Sequence, residues 1–94
     1  MSESPELDTV LRALADPTRR RILRLLGAQP GLSTGELASR VPGISRWGVM
    51  KHLAALRDAG LVQTLDDGRR RRHYREDAPL AALRDRLAAE VGLG

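Results

Sequence analysis

Apolar residues in this chain recur first at helical spacing and only later at strand spacing. Leu7, Val10, Leu11 and Leu14 fall at i, i+3, i+4 and i+7, which predicts a short amphipathic helix over residues 6–15. Asp16 and Pro17 follow. A carboxylate accepts from the free amides of a helix start, and proline at the first helical position gives up an N–H that has no helical partner. A second helix is therefore expected from Pro17 to about residue 26, with Ile22, Leu23, Leu25 and Leu26 apolar and Gly27 as its stop. Pro30-Gly31 marks a loop over residues 29–32. Ser33 and Glu36 have the spacing of a capping box and open a short third helix with Leu37, Ala38 and Val41, which Pro42-Gly43 breaks. Ser45 then caps a fourth helix, over about residues 45–59, with Ile44 and Val49 placed as a hydrophobic staple around it. Its apolar face is Val49, Leu53 and Leu56, and Gly60 is the natural residue to leave it.

The texture changes at Leu61. Residues 61–65 read as a strand, Asp66-Asp67-Gly68 as a hairpin turn, and residues 69–75 as the return strand. Asp77-Ala78-Pro79 opens a last helix, striped by Leu80, Leu83 and Leu87 and extended by Val91. The expected fold is mainly α with a small β-hairpin: about five helices plus two strands, in one domain over residues 1–94, with polar residues 1–5 disordered.

Composition narrows the function. The chain has 94 residues, 41% of them hydrophobic, yet its aromatics are only Trp47 and Tyr74. The core must be aliphatic. There is no cysteine, which excludes disulfides, thiolate metal sites and cysteine nucleophiles. No apolar run approaches the roughly 18 residues of a membrane span. The first ten residues hold three acids and no base, unlike a signal or transit peptide, so a cytoplasmic chain with no membrane partner is expected.

The net charge of +4 is local. Five of the 16 bases, Arg69, Arg70, Arg71, Arg72 and Arg75, fall within residues 69–75, where there is no acid; taking them away leaves 11 bases against 12 acids. A second cluster is Arg19, Arg20, Arg21 and Arg24. Localised basic charge favours a polyanion such as nucleic acid. Genomic bias explains fifteen arginines against one lysine, but not five bases in seven residues.

Two short helices joined by a tight Pro-Gly turn, with a hairpin following at once, make a helix-turn-helix with a wing. The major groove of B-form DNA is about 12 Å wide and admits one helix, whose N-terminal part meets the base edges. Here that part is Ser45, Arg46, Trp47 and Gly48, followed by Met50 and Lys51. With Val49, Leu53 and Leu56 facing the core, Arg46, Trp47, Met50 and Lys51 point away from it. Arg46 is expected on guanine, Lys51 on phosphate, and Arg69, Arg70, Arg71 and Arg72 along the backbone or minor groove. His52 lies between the two faces, a structural or phosphate-contacting residue. His73 could extend a site with His52, but two histidines without cysteine fall short of the usual metal set. Tyr74 is read as core, anchoring the wing. Asp66 and Asp67 at the wing tip would repel phosphate, so contact is expected from the arginine flank. No catalytic triad, phosphate-cradling loop or carboxylate pair in a pocket is present, and no cofactor or enzymatic activity is expected.

The segment Leu14-Ala15-Asp16-Pro17-Thr18-Arg19-Arg20-Arg21-Ile22-Leu23 resembles the second-helix signature of ArsR-type (ArsR/SmtB-like) winged helix-turn-helix transcriptional regulators. Gly35-Glu36-Leu37-Ala38, Val49-Met50-Lys51-His52-Leu53, Ala59-Gly60-Leu61-Val62 and Gly68-Arg69-Arg70 continue the resemblance in order, over about residues 6–80. It implies a homodimer, paired through first and last helices, that binds a palindromic operator, usually as a repressor. The stripes Leu7, Leu11, Leu14 and Leu83, Leu87, Val91 are the apolar surface such pairing would cover. Two departures matter. Members that sense arsenic or cadmium carry Cys-X-Cys where this chain has Ser33 and Gly35, and members that sense zinc or nickel use histidines on a last helix that here has none. The resemblance thus implies the branch without the usual metal-sensing motifs. Two other readings fit the sequence: a protein-interaction module whose arginine strand binds an acidic partner, and a regulator answering to a metal or small molecule at an atypical site.

Overall fold

The computed structural model describes residues 5–94. Residues 1–4, where disorder was the expectation, lie outside that range, and Pro5 already begins the first helix. The described elements run α1 (Pro5–Leu14), α2 (Pro17–Ala28), β1 (Leu32–Ser33), α3 (Thr34–Arg40), α4 (Arg46–Asp58), β2 (Val62–Asp66), β3 (Arg71–Arg75) and α5 (Asp77–Glu90).

Polar caps set the helix boundaries where the sequence placed them. Asp16 Oδ1 accepts from the amides of Thr18 at 2.7 Å and Arg19 at 3.2 Å. Ser33 Oγ accepts from the Glu36 amide at 3.1 Å while Glu36 Oε1 accepts from the Ser33 amide at 2.8 Å, a complete capping box. Ser45 Oγ accepts from the Gly48 amide at 3.0 Å. These bonds satisfy amides that no helical carbonyl can reach. Ile44 joins the core cluster that holds Val49. It lies so close over Gly48 that a Cβ there would come within 2.8 Å of its Cγ1. Gly60 leaves α4 with φ +77°, the Gly60 amide donating to Arg57 O and the Leu61 amide to Leu56 O. This paired closure of a helix end needs a left-handed residue.

Two expectations are corrected. Gly27 does not stop α2, which continues through Ala28 with the Gln29 amide bonded to Leu25 O. The Arg75 guanidinium lies over it, at 2.1 Å from where a Cβ would stand, so a side chain here would have to move the arginine tip aside. The sheet has three strands, not two. Leu32–Ser33 pairs antiparallel with β3, giving the order β1-β3-β2 with Leu32 opposite His73 and Thr64 opposite the same residue. The wing is thereby stitched to the loop before α3.

The core is aliphatic, as composition requires. Ile22, Leu26, Leu37, Val49, Leu53, Leu56 and Leu61 are fully buried. The exception is His73 at 1% exposure, in the place expected for Tyr74, which is only half-buried. Adjacent strand residues face opposite sides, and β3 turns its histidine inward. Both ring nitrogens are engaged, Nε2 with Thr34 Oγ1 and Nδ1 with Thr64 Oγ1, each at 2.8 Å. Thr64 Oγ1 also accepts from Arg57 at 3.2 Å. A neutral imidazole supplies one donor and one acceptor and so fits between two hydroxyls. Burial pushes its pKa down to about 4, with help from the charges of Arg57 and Arg71.

Candidate nucleic-acid interface

The two faces of α4 divide sharply. Val49, Leu53 and Leu56 are buried against α2 and α3, whereas Ser45, Arg46, Trp47, Met50 and Lys51 are exposed. Ser45 is occupied as the cap. The Arg46 guanidinium lies near Gly35 at the start of α3, and among the described residues it has no hydrogen-bond or ion-pair partner. Lys51 points away from the core, as expected, and lies back along its own helix. Its ammonium sits 4.5 Å from the centroid of the Trp47 ring one turn earlier, within cation–π range. His52 is half-buried, and its Nδ1 accepts from Arg19 Nε at 3.1 Å. That bond ties the start of α2 to the middle of α4.

The wing differs from its reading as a uniformly cationic strand. Arg69 and Arg70 lie in the turn, not in β3. The Asp67 amide donates to Arg70 O, and the Arg70 amide donates to Asp67 Oδ1 at 3.1 Å, which closes the hairpin. Asp67 also pairs with Arg72, and Asp66 pairs with Arg71 at 3.4 Å. The Arg72 hydrogen bond and the Arg70 amide hold the Asp67 carboxyl below its ordinary value. Arg72 further donates to Gly31 O at 3.0 Å, and Arg75 pairs with Asp77 at 2.6 Å. The two acids of the tip are thus spent on arginines that a charge count would assign to a ligand. Arg70 keeps one distant partner, Glu36 at 3.9 Å, and Arg69 has no side-chain partner among the described residues.

The unspent charges of α4 and the wing turn converge. Arg46 and Met50 from α4, Gly35 and Glu36 from α3, and Arg69 and Arg70 from the wing turn line one open cleft of about 410 Å³. Glu36 is the acid of this cleft; hydrogen bonds from the Ser33 amide and hydroxyl hold its carboxyl low. A second cleft of about 280 Å³ runs between the outer face of α4 and β3, lined by Trp47, Met50, Lys51, Ala54, Arg57 and Arg71. Ala54 and Arg57 were missed in the sequence. The signal was present, since positions 47, 50, 51 and 54 repeat at i, i+3, i+4 and i+7 on the side opposite the core stripe.

Three of the four α2 arginines bond carbonyls of their own chain. Arg19 and Arg20 donate to the carbonyls of Arg12 and Leu14 at the end of α1, and Arg21 donates to Arg40 O at the end of α3. Burial raises the Asp16 carboxyl, but the Arg19 and Thr18 amides and the charges of His52 and Arg19 outweigh it, so its pKa is lowered. The two histidines do not form a common site: His52 serves Arg19 and His73 is enclosed by threonines. Among the described residues no group of three or more His, Asp or Glu side chains could hold a metal ion, and no helix is long and apolar enough to cross a membrane.

The apolar stripes at the far end are placed unevenly. Leu7 is buried by its own chain, Leu14 packs on the core, and Leu11 is 37% exposed. On α5, Leu83 and Leu87 are half-buried, Val91 is 70% exposed, and no residue of the helix is buried. Together with Leu80, Ala88 and Leu93 they line an open, mostly apolar surface.

Residues 14–64 match the family described as Helix-turn-helix domain. The chain is 42% identical over 87 residues to the HTH-type transcriptional regulator Rv2034 of Mycobacterium tuberculosis, covering 93% of this chain and 79% of that one. It is 41% identical over 61 residues to the HTH-type transcriptional regulator YgaV of Escherichia coli, where it spans 65% of this chain and 61% of the relative's length. Among solved structures it superposes on an ArsR-like transcriptional regulator from Rhodococcus sp. RHA1 with TM-score 0.80 and 39% identity, over 93% of this chain and 79% of that one. It also superposes on Mb0332 of Mycobacterium bovis, described as a homodimeric winged helix-turn-helix DNA-binding domain, with TM-score 0.70 and 28% identity, over 92% of this chain and 76% of that one.

Proposed function

The chain belongs to the ArsR-like winged helix-turn-helix transcriptional regulators, and from that premise we propose that it acts in the cytoplasm as a homodimeric repressor of a palindromic operator. It is a regulator, not an enzyme. The observation that carries the reading is the cleft in which Arg46 and Met50 of α4 meet Arg69 and Arg70 of the wing turn. In this reading α4 enters the major groove with Arg46 toward guanine, and Ser45, Trp47 and Met50 line the base-facing turn. Arg69 and Arg70 hold phosphate, while Arg71 and Arg72, already paired with Asp66 and Asp67, orient the wing. Lys51 and His52 contribute to the same face as supports for Trp47 and Arg19. The second copy pairs through Leu83, Leu87 and Val91, with Leu11 at the edge, while Leu7 and Leu14 back this surface from within the protomer. Half-sites then lie about 34–36 Å apart.

Selection from a random duplex library at about 150 mM salt, with unselected DNA as competitor, tests this. Enrichment of an inverted repeat is expected; a flat library overturns the reading. On the selected operator, Arg69→Ala with Arg70→Ala is expected to lower the salt dependence of log K by about two contacts' worth per protomer. An unchanged slope would remove the wing turn from the interface.

A further inference from the structure

The outer stripe of α4 carries more apolar surface than phosphate contact requires. Trp47 is 66% exposed and Met50 48% exposed, on consecutive turns, and neither joins the core cluster. Ala54 continues the stripe along the cleft between α4 and β3. The sole lysine of the chain lies over the indole. We propose that Trp47 and Met50 form a surface that reads the 5-methyl group of thymine in the major groove, and that Lys51 is the positioning residue that holds the indole for it. The proposal rests on the DNA-binding reading above and deepens it.

The chemistry selects the ligand. Indole offers one N–H donor and no acceptor, and the thioether is at best a weak acceptor. Neither can make the two-point hydrogen-bond patterns by which guanine or adenine is read. What an apolar side chain can recognise on the floor of the major groove is the thymine methyl, a feature that no other base presents there. Position agrees: both side chains lie in the N-terminal half of α4, beside Arg46, whose guanidinium is free for the neighbouring base pair. The occupant is fixed by charge. Arg46, Arg69 and Arg70 line the cleft at Met50, Arg57 lines the adjoining cleft along Trp47 and Ala54, and Arg71 lines both, so the apolar stripe is bordered by cations that suit a polyanion's groove. Lys51 does two things at once. Stacked on Trp47 it limits the ring's rotamers, and it keeps a positive charge near the groove without reaching for a particular phosphate.

The test uses the full chain and the operator obtained by selection. Each thymine is replaced in turn by deoxyuridine, which removes the methyl and nothing else. At one position per half-site the wild-type protein is expected to lose affinity by about three- to fivefold per methyl. Trp47→Ala is expected to fold with unchanged thermal stability, since the side chain is exposed, and to bind thymine and deoxyuridine duplexes alike. Trp47→Phe should retain part of the discrimination, and Lys51→Gln should reduce it without abolishing DNA binding. An operator in which no thymine methyl matters to the wild type, or a Trp47→Ala protein that keeps the full methyl preference, overturns the proposal and leaves the DNA-binding reading intact. A library with no enriched sequence overturns both.

Discussion

Helices α4 and α5 are nearly equal in length, 13 and 14 residues, and each carries three apolar residues at helical spacing. Their fates differ. Val49, Leu53 and Leu56 of α4 are at most 1% exposed, while α5 buries nothing. The start of α4 is capped by Ser45 Oγ; the residue before α5, Glu76, makes no side-chain cap. The far end of α4 is tied through Arg57, Thr64, His73 and Thr34 to the sheet and to α3. An apolar stripe therefore does not say what will cover it. α4 is held by its own chain along the whole stripe, whereas on α5 Leu80 packs on the core, Leu83 faces α1 and Leu87 stays half-buried beside an exposed Val91.

The strongest way to break this contrast is to cut into the α4 side. Leu53→Ala is expected to cost about 2–5 kcal/mol, the range for a fully buried leucine, read from urea unfolding. A loss below about 1 kcal/mol would mean that α4 is not docked as described.

Acid should act on the same side. His73 is neutral in the folded chain, with a pKa near 4 against 6.5 when exposed. The unfolded chain therefore takes up a proton at a pH where the folded chain does not. Stability is full above pH 6.5 and falls as the pH drops toward 4, by roughly 2–3 kcal/mol in all. The lowered carboxyls of Asp16, Glu36 and Asp67 start from ordinary values of 3.8, 4.5 and 3.8. Their contribution is lost as the pH falls through those ordinary values, so that of Glu36 begins near 4.5, at the lower end of the interval, and those of Asp16 and Asp67 follow below it. His73→Gln keeps a donor and an acceptor but cannot titrate, and should flatten thermal stability between pH 6.5 and 4.5. An equally steep fall in that variant would assign the acid response elsewhere.

The caps sharpen the contrast at smaller scale. Ser45→Ala removes a made bond and should cost about 1 kcal/mol. Glu76→Ser offers α5 the cap it lacks and should add a few tenths of a kcal/mol. Equal and opposite effects would show the two starts to be energetically alike.

Much of the α4 side was legible in the sequence because its signals are local. Asp16, Ser33 with Glu36, Ser45 and Gly60 act within four residues of themselves, and the 49/53/56 stripe is a period. What escaped notice was set by distant partners. A two-residue strand, Leu32–Ser33, has no period to read. Gly27 has the composition of a helix stop, yet α2 runs on through Ala28, and the Arg75 guanidinium over it comes from far along the chain. Alternation places His73 and Tyr74 on opposite faces but does not choose between them, and apolarity alone favours Tyr74, whereas the paired threonines favour His73. The wing's charges were counted as five, though Asp66, Asp67 and Asp77 neutralise three of them in space. A count adds charges, whereas geometry pairs them.

The smallest effect on the protomer tests the α5 side most directly. Leu87 is half-buried, and its neighbours on the open surface, Leu83 and Val91, leave it little to lose in an isolated chain. Leu87→Ala should change stability by less than about 0.5 kcal/mol at protein concentrations where the chain is monomeric. If a second copy covers the stripe, unfolding of the wild type depends on concentration, because association stabilises only the folded form. Leu87→Ala should weaken that dependence and Leu87→Asp should abolish it, with sedimentation reporting a monomer. Operator affinity should fall with it, since one protomer then grips one half-site. A loss of 2 kcal/mol or more in the dilute monomer would place α5 against its own body, and the contrast with α4 would be one of degree.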